Sequence, residues 1–468
     1  MKINIHSNAR CRDGGALVLT AIILVIVCSV LISYLLMTQN EYAASARSQT
    51  WNTSMSLTEA GVEDALAFMN KYAGDVVMAS HWSDASSAAA DGWTVSGNLY
   101  SMHRVVSTNS GYYDVTIDNT ISNAPVINCS GSAYFKLTAM AQPPTMFATI
   151  GVQPGTPTAA TRTVKVTATF SSIFPGAIIT RTNIDLNGND VRVDSFDSTT
   201  NASSVWLTNQ NYGIYDLTKA RANGDVMTDS SVIGAISIGQ ANIYGHLDTG
   251  PGGAATIGNN GYVGPLPQVG SGIQAGYSKD DMNMIFPDVT LPTGANNWQN
   301  VPANYTISAS GQYMILGLSG SLTIDAPSVT LYINGNINMS GNSAITVTTN
   351  CSSAVIYVSG PSIDLHGQAT VNNQAQKASV LGIYGLSSVT SISFGGNAAF
   401  TGTLYAPEAD FSFGGGGNNT YDFVGSLVAN SCKLNGHANF HYDESLKRNG
   451  PGIGYIPASW KEIGAPDR

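Results

Sequence analysis

The sequence predicts an α plus all-β chain. It has a long N-terminal transmembrane helix, a small β-sheet region and a C-terminal right-handed parallel β-helix. Three observations predict this. Gly14 to Met37 is a run without charge or proline, and no proline follows until well past residue 74. Residues 90–172 hold short β-type runs separated by polar turns. Residues 175–445 hold an internal repeat with a period in the twenties.

The apolar run comes first. About 20 such residues at 1.5 Å each cross a bilayer core. Lys2, Arg10 and Arg12 precede it and Glu41 follows. A short positive flank stays in the cytoplasm, so residues after Met37 are expected outside it. Residues 1–13 are then a cytoplasmic leader and 14–37 the membrane span. A cleaved signal peptide is the rival reading, with Ala44-Ser45-Ala46 as its cleavage site, but the run exceeds the roughly 7–15 apolar residues of such signals. Beyond Met37, the residues Met55, Ala60, Val62, Ala65, Leu66 and Met69 recur at helical spacing. The helix is expected to continue, amphipathic, to about residue 74, where Gly74 suits a C-terminal cap.

Two segments carry a family resemblance. Arg12 with Gly14-Gly15-Ala16-Leu17-Val18, and later Leu57-Thr58-Glu59-Ala60-Gly61-Val62-Glu63-Asp64-Ala65, resemble the N-terminal domain of PilX-type minor pilins of type IV pili. The resemblance covers about the first 75 residues. It implies a prepilin leader cut after Gly14 or Gly15. It also implies a helix that packs against other pilin-like subunits and an assembly machinery. Major pilins carry glutamate at the fifth mature position, where this chain has Leu19 or Thr20.

Composition narrows the rest. Charged residues are 11%, against a usual quarter, and glycine numbers 49. That suits exposed, short-stranded β structure. A net charge of −10 argues against a nucleic-acid partner. Cys129, Cys351 and Cys432 remain for the region after the span, so one disulfide is open and its pairing unassigned.

Residues 90–172 contain strand signals such as Tyr112-Tyr113-Asp114-Val115-Thr116-Ile117 and Thr163 to Phe170. The repeat then takes over. Its copies include Ile179 to Gly188, Ile238 to Gly245, Tyr332 to Gly341, Tyr357 to Gly367, Ile392-Ser393-Phe394-Gly395, Phe411-Ser412-Phe413-Gly414 and Cys432 to Gly436. The lead residues Tyr332, Tyr357, Tyr384, Tyr405 and Val428 are about 21 to 27 residues apart. Such a period, with strands and glycine turns, means a solenoid whose coils pool their few apolar side chains. Ile337, Ile363, Ile392, Phe411 and Leu434 are expected inside. Asp185, Tyr244, Asn338, Asp364, Ser393, Ser412 and Lys433 are expected outside. Gly250 to Val301 reads as a long loop or irregular coil, and 446–468 as a C-terminal tail. This half resembles a domain of unknown function found behind PilX-like N-termini, through Asp185-Leu186-Asn187-Gly188-Asn189, Val193 to Ser198, Leu404 to Ala409 and His441-Tyr442-Asp443-Glu444.

Chemistry is sparse. The outward column holds no pair of carboxylates, so acid–base or calcium chemistry is not indicated. His437 and His441 are four apart; on a strand they would lie about 13 Å apart, too far for one metal ion. They read as a polar edge capping the last coil. Gly414 to Gly417 lacks the lysine and helix of a phosphate loop. No catalytic residue, cofactor or metal site is expected. The tyrosines could form a face for a sugar or partner. The chain therefore reads as a membrane-anchored, pilin-like structural protein displaying a β-helix for assembly or for adhesion to surface polysaccharide or a host ligand. The alternatives are a single-pass surface protein outside any filament and a polysaccharide-acting β-helix enzyme.

Overall fold

The computed structural model describes residues 13–71, 81–107, 111–121, 124–134, 159–188, 191–206, 213–396, 399–415, 421–449 and 452–463. The leader and Gly74 lie outside these residues. Two compact units are present: residues 1–67, 85–168 and 457–468 form the first, and 68–84 with 169–456 form the second.

In the first unit α1 spans Asp13–Met69, ending a turn earlier than expected. Its early part, from Gly15 on, is long and apolar enough to cross a bilayer, and Leu17 through Met37 are exposed. Ala44-Ser45-Ala46 lies in mid-helix. Downstream strands β1 (Thr94–Ser96), β2 (Leu99–Ser107), β3 (Gly111–Asp118), β4 (Val126–Tyr134) and β5 (Ala159–Ser172) follow one another in one sheet. Pairing along β1 to β5 is antiparallel. The strand Gly452–Ile463 adds to β5. The described residues of the expected tail are therefore not a tail: they fall in a short helix of the second unit, Ser445–Asn449, and in this sixth strand. Alternation is strict in β3, where Tyr113, Val115 and Ile117 are buried and Tyr112, Asp114 and Thr116 are not. One sheet face thus lies against a core and the other is open.

The helix face that meets this sheet differs from the aliphatic stripe expected. Ala60 is exposed and Met55 and Leu66 are half-buried; Val62, Ala65 and Met69 are buried as expected, and with them Thr50, Ser54, Leu57, Thr58, Gly61 and Phe68. Small residues dominate because the backbones approach closely. A β-carbon on Gly131 of β4 would stand 2.5 Å from the Thr58 backbone nitrogen. Thr58 Oγ1 donates to Ser54 O (2.8 Å) and accepts from Gly131 N (3.0 Å).

The second unit contains a 26-stranded sheet. Successive coils lay strands on the same ladders: Ser328–Ile333 pairs with Ser353–Val358, Ile337–Met339 with Ser362–Leu365, and Ala344–Val347 with Thr370–Asn373, all in parallel. Tyr332, Tyr357, Tyr384, Tyr405 and Val428 share one ladder. On another, Ile337, Ile363, Ile392, Phe411, Cys432, Ile184 and Ile236 are in register, and all are buried. Leu434 is also buried, two residues beyond Cys432 and beside Phe413. Between these positions Asn338, Asp364, Ser393, Ser412, Lys433 and Asp185 are in register and exposed or half-buried. Ser237 completes that column. Tyr244, expected there, is buried and pairs with Gly264 instead, because its coil reaches this ladder seven residues earlier than the repeat suggests. Inside, Phe400 stacks on Phe423 (4.6 Å) and Phe423 on Phe440 (4.5 Å).

The coils do not stack in chain order. The strand Tyr421–Gly436 pairs on one side with Phe400–Gly415 and on the other with Ile178–Thr180 and Ile184–Asp185. Ala438–Asp443 pairs with Arg192–Phe196. From there the stack continues through Val226–Thr228 and Leu247–Asp248 to Ser278–Lys279. Its other end is Gln299–Asn300 on Gly311–Ile315. The stack therefore reads from 299 to 443, then from 178 to 279, and residues 280–298 connect its two ends. Gly250 to Val301 is only partly loop: Ala254–Ile257 and Tyr262–Gly264 are ladder strands, and 280–298 is the connection.

Candidate functional site

The joint between residue 443 and residue 178 is the most polar buried place in the second unit. Most coil interfaces are aliphatic or aromatic. Here Asp194, Ser195, Ser198 and Asp443 are fully buried, and His441, Asp197, Glu444 and Ser445 nearly so. The register sets His441 opposite Asp194 and Tyr442 opposite Ser195. His441 Nδ1 lies 2.6 Å from Asp194 Oδ1. Arg192 Nε donates to Asp194 Oδ2 (2.6 Å), as does the Tyr215 hydroxyl (2.8 Å). The Tyr215 ring stacks on His441 at 3.6 Å. Burial, then the Asp194 charge, pushes the Tyr215 hydroxyl well above the usual range.

Around this pair every acid has donors. Glu444 pairs with Arg221 (2.7 Å) and accepts from Ser195 Oγ (2.9 Å) and Asn223 Nδ2 (2.7 Å). Asp443 accepts from Ser198 Oγ (2.7 Å), Ser198 N (3.2 Å) and Ser445 N (3.1 Å). Burial pushes the Asp443 carboxyl up despite these bonds. Burial also works on Asp197, but donors from Thr199 and Arg448 outweigh it and hold its carboxyl below the usual 3.8. A buried charge costs several kcal/mol unless it is paired, and these pairings offset that cost.

The arrangement locks two non-consecutive coils together. The Ser195 and Ser198 hydroxyls each donate to a carboxylate inside the protein. His437 and His441 do not share a strand: His437 sits at a bend, while His441 lies in Ala438–Asp443. Nor do they cap the last coil, because 421–443 is flanked on both sides. Among the described residues no three His, Cys, Asp or Glu side chains converge as a metal-holding group. Gly416 and Gly417 lie outside the described residues. Four of the tyrosines, Tyr332, Tyr357, Tyr384 and Tyr405, are buried along one ladder and so form no open face, with the Tyr357 and Tyr384 rings 5.8 Å apart. Cys129, Cys351 and Cys432 are buried free thiols. Burial raises all three, Cys129 to about 12.

The second site is the helix. Gly14 and Gly15, the candidate cleavage positions, fall in the first turn of α1, and nothing lies within 4 Å of a β-carbon built on Gly15. On the sheet side Asp64 accepts from Tyr113 Oη (2.6 Å) and pairs with Arg104. Burial and the Asp64 bond push the Tyr113 hydroxyl up to about 12. Arg162 holds Glu462 through two bonds (2.7 and 2.6 Å), with its guanidinium 4.9 Å from the Trp51 ring centroid. Of the Ser54–Thr58–Gly61–Ala65 face only Ala65 was on the expected stripe, and the acid joint was not found from sequence. The four-, three- and four-residue spacing of small residues was the available signal for the first. The second had only two acidic segments far apart in the chain.

Comparison with known proteins adds two findings. Residues 291–449 match a family described as Domain of unknown function (DUF7305). That match contains the 299–443 part of the stack and leaves out the coils from 178 to 279. Among solved structures, the chain is similar to the crystal structure of competence-associated pilin ComZ from Thermus thermophilus. The identity is 12%, covering 88% of this chain and 97% of that one, with a TM-score of 0.24. A TM-score of that size carries no structural argument. No curated protein matches the chain.

Proposed function

We propose that this is a membrane-anchored, pilin-like structural protein. Its α1 joins or primes a type IV pilus or related filament, and its second unit is a right-handed parallel β-helix displayed outside the cytoplasm for assembly or adhesion. The observation that carries this is the division of labour along one unbroken helix. Its first part is apolar on every side, and its second part is packed on an antiparallel sheet by small residues. An all-round apolar helix suits lipid or the interior of a helical filament. The Glu-Ala-Gly-Val-Glu-Asp-Ala segment supports the same reading. Gly61 in it meets the sheet, and Glu59 and Glu63 face away. The right hand follows from the usual chirality of parallel crossovers, and the three parallel ladders support the β-helix.

In this reading the protein is not an enzyme. The buried acids are committed to Arg, Ser, His and Asn partners, and the outward column carries single acids separated by Asn, Ser or Lys. Partners are the membrane and other pilin-like subunits. A surface polysaccharide or host ligand is the adhesion target.

The test is fractionation. Filaments sheared from cells should carry the chain together with other pilin-like subunits. Recovery only in the membrane pellet would favour a single-pass surface protein. Turnover of an acidic polysaccharide by the purified protein would overturn the non-enzyme reading.

A further inference from the structure

We propose that residues 280–298 are an extended clamp holding both ends of the coil stack closed, so that a single cut within them releases both ends together.

The argument starts from where the ends are. A solenoid frays from its terminal coils, because each has only one neighbour. In most chains those coils also carry the chain termini. Here they do not: the coil 178–196 pairs with the coil 421–443 in mid-stack, and the terminal strands are Ser278–Lys279 and Gln299–Asn300. These two strands are linked covalently by 280–298 alone.

The distance keeps the link extended. Ten ladder steps separate the terminal strands, through the strands beginning at 311, 328, 353, 381, 400, 421, 178, 226 and 247. At about 4.8 Å per step that is roughly 48 Å. Twenty residue-to-residue steps from Lys279 to Gln299 reach at most about 68 Å. The segment must therefore cover about 70% of its full reach, which keeps its path largely extended. Only one short 3₁₀ turn, Ala295–Asn297, interrupts it.

Its contacts follow the same route. Met282 N donates to Thr249 O (3.0 Å) near one end. Tyr405 Oη donates to Pro287 O (2.8 Å) in the middle. Val301 N donates to Met314 O (2.9 Å) just past the other end. Met282, Val289 and Ala295 are buried, while Asn283, Ile285, Asp288 and Thr290 are exposed. An extended backbone with alternate side chains in solvent is what an endoprotease binds. Shortening the reach of unfolded end coils opposes fraying in the way a cross-link does. Cutting the strap removes that constraint at both ends at once and leaves the joint at 178 and 443 paired.

The test uses the full-length protein in detergent, with a recognition sequence for a specific protease inserted after Gly294. That position is a left-handed turn with open space around it (φ 83°). Hydrogen exchange is compared before and after complete cutting. Peptides covering 272–279 and 305–315 should exchange at least tenfold faster after the cut. Peptides covering 381–385 and 438–443 should change less than twofold. The longer, uncut strap should lie between the native and cut chains. Unchanged exchange at both ends after cutting overturns the clamp. Equal acceleration of middle and ends also overturns it, since the segment would then be ordinary core.

Discussion

Gly61 of α1 stands directly against Cys129 of β4. A β-carbon at residue 61 would fall inside contact distance of the Cys129 sulfur and 2.8 Å from Tyr113 Cδ2. Two elements distant in sequence therefore depend on one missing methyl group. Gly61→Ala gains roughly 1 kcal/mol of helix propensity, but overpacking costs typically about 1–3 kcal/mol. Net destabilisation is expected in urea unfolding of the detergent-solubilised protein. Adding Cys129→Ala should recover part of the loss, a coupling that a double-mutant cycle reads directly. Simple additivity would show that the two residues do not meet.

The coil register makes a paired prediction. Ile363 is buried between Ile337 and Ile392, and Asp364 is half exposed between Asn338 and Ser393. Ile363→Asp places an unpaired charge in the stack and should cost several kcal/mol. Asp364→Ala should stay within about 0.5 kcal/mol. Reversed outcomes would mean the inward and outward faces are exchanged.

Asp197 gives the joint a pH signature. Its folded carboxyl titrates below the ordinary value, so its stabilisation is present above that value and is lost as pH falls through the folded one. Asp197→Asn should cost about 1 to 2 kcal/mol at pH 7, as expected when charged hydrogen bonds are weakened. The gap between native and variant proteins should close as pH drops below 3.8. A gap that stays constant with pH would show that the ionised carboxylate is not what Arg448 and Thr199 hold.

Anchoring and processing are tested at the N-terminus. Carbonate washing should leave the protein in the membrane. N-terminal sequencing of the extracted protein should begin at Gly15 or Ala16. A start after Ala46, from soluble material, would replace the anchor with a cleaved signal. An intact Met1 would leave the anchor but remove the prepilin processing.

Much of the local order was legible in the chain. Side chains in a strand alternate with a period of two, so Ile-Asp-Leu and Phe-Ser-Phe triplets announce which residue faces in. The common spacing of Tyr332, Tyr357, Tyr384 and Tyr405 then aligns coils that are neighbours in sequence. Helix length was equally legible, because Gly14–Met37 carries neither charge nor proline. The sequence determined, by itself, the apolar helix, the strand-rich body and the inward register of residues 337 to 434.

Tertiary structure decided the rest. A coil offers the same hydrogen-bonding edge to any partner coil, so nothing local says that 421–443 receives 178–196 on its free side. That choice depends on His441 meeting Asp194 and Glu444 meeting Arg221, side chains more than 200 residues apart. It also turned the apparent loop at 280–298 into the link between the stack's ends. The helix face was hidden for a related reason. Close backbone approach selects small side chains, and hydrophobic periodicity does not register Ser54, Thr58 and Gly61. Periodicity reports what a segment does with water, while the order of coils and the depth of a helix contact are set by which distant surfaces fit.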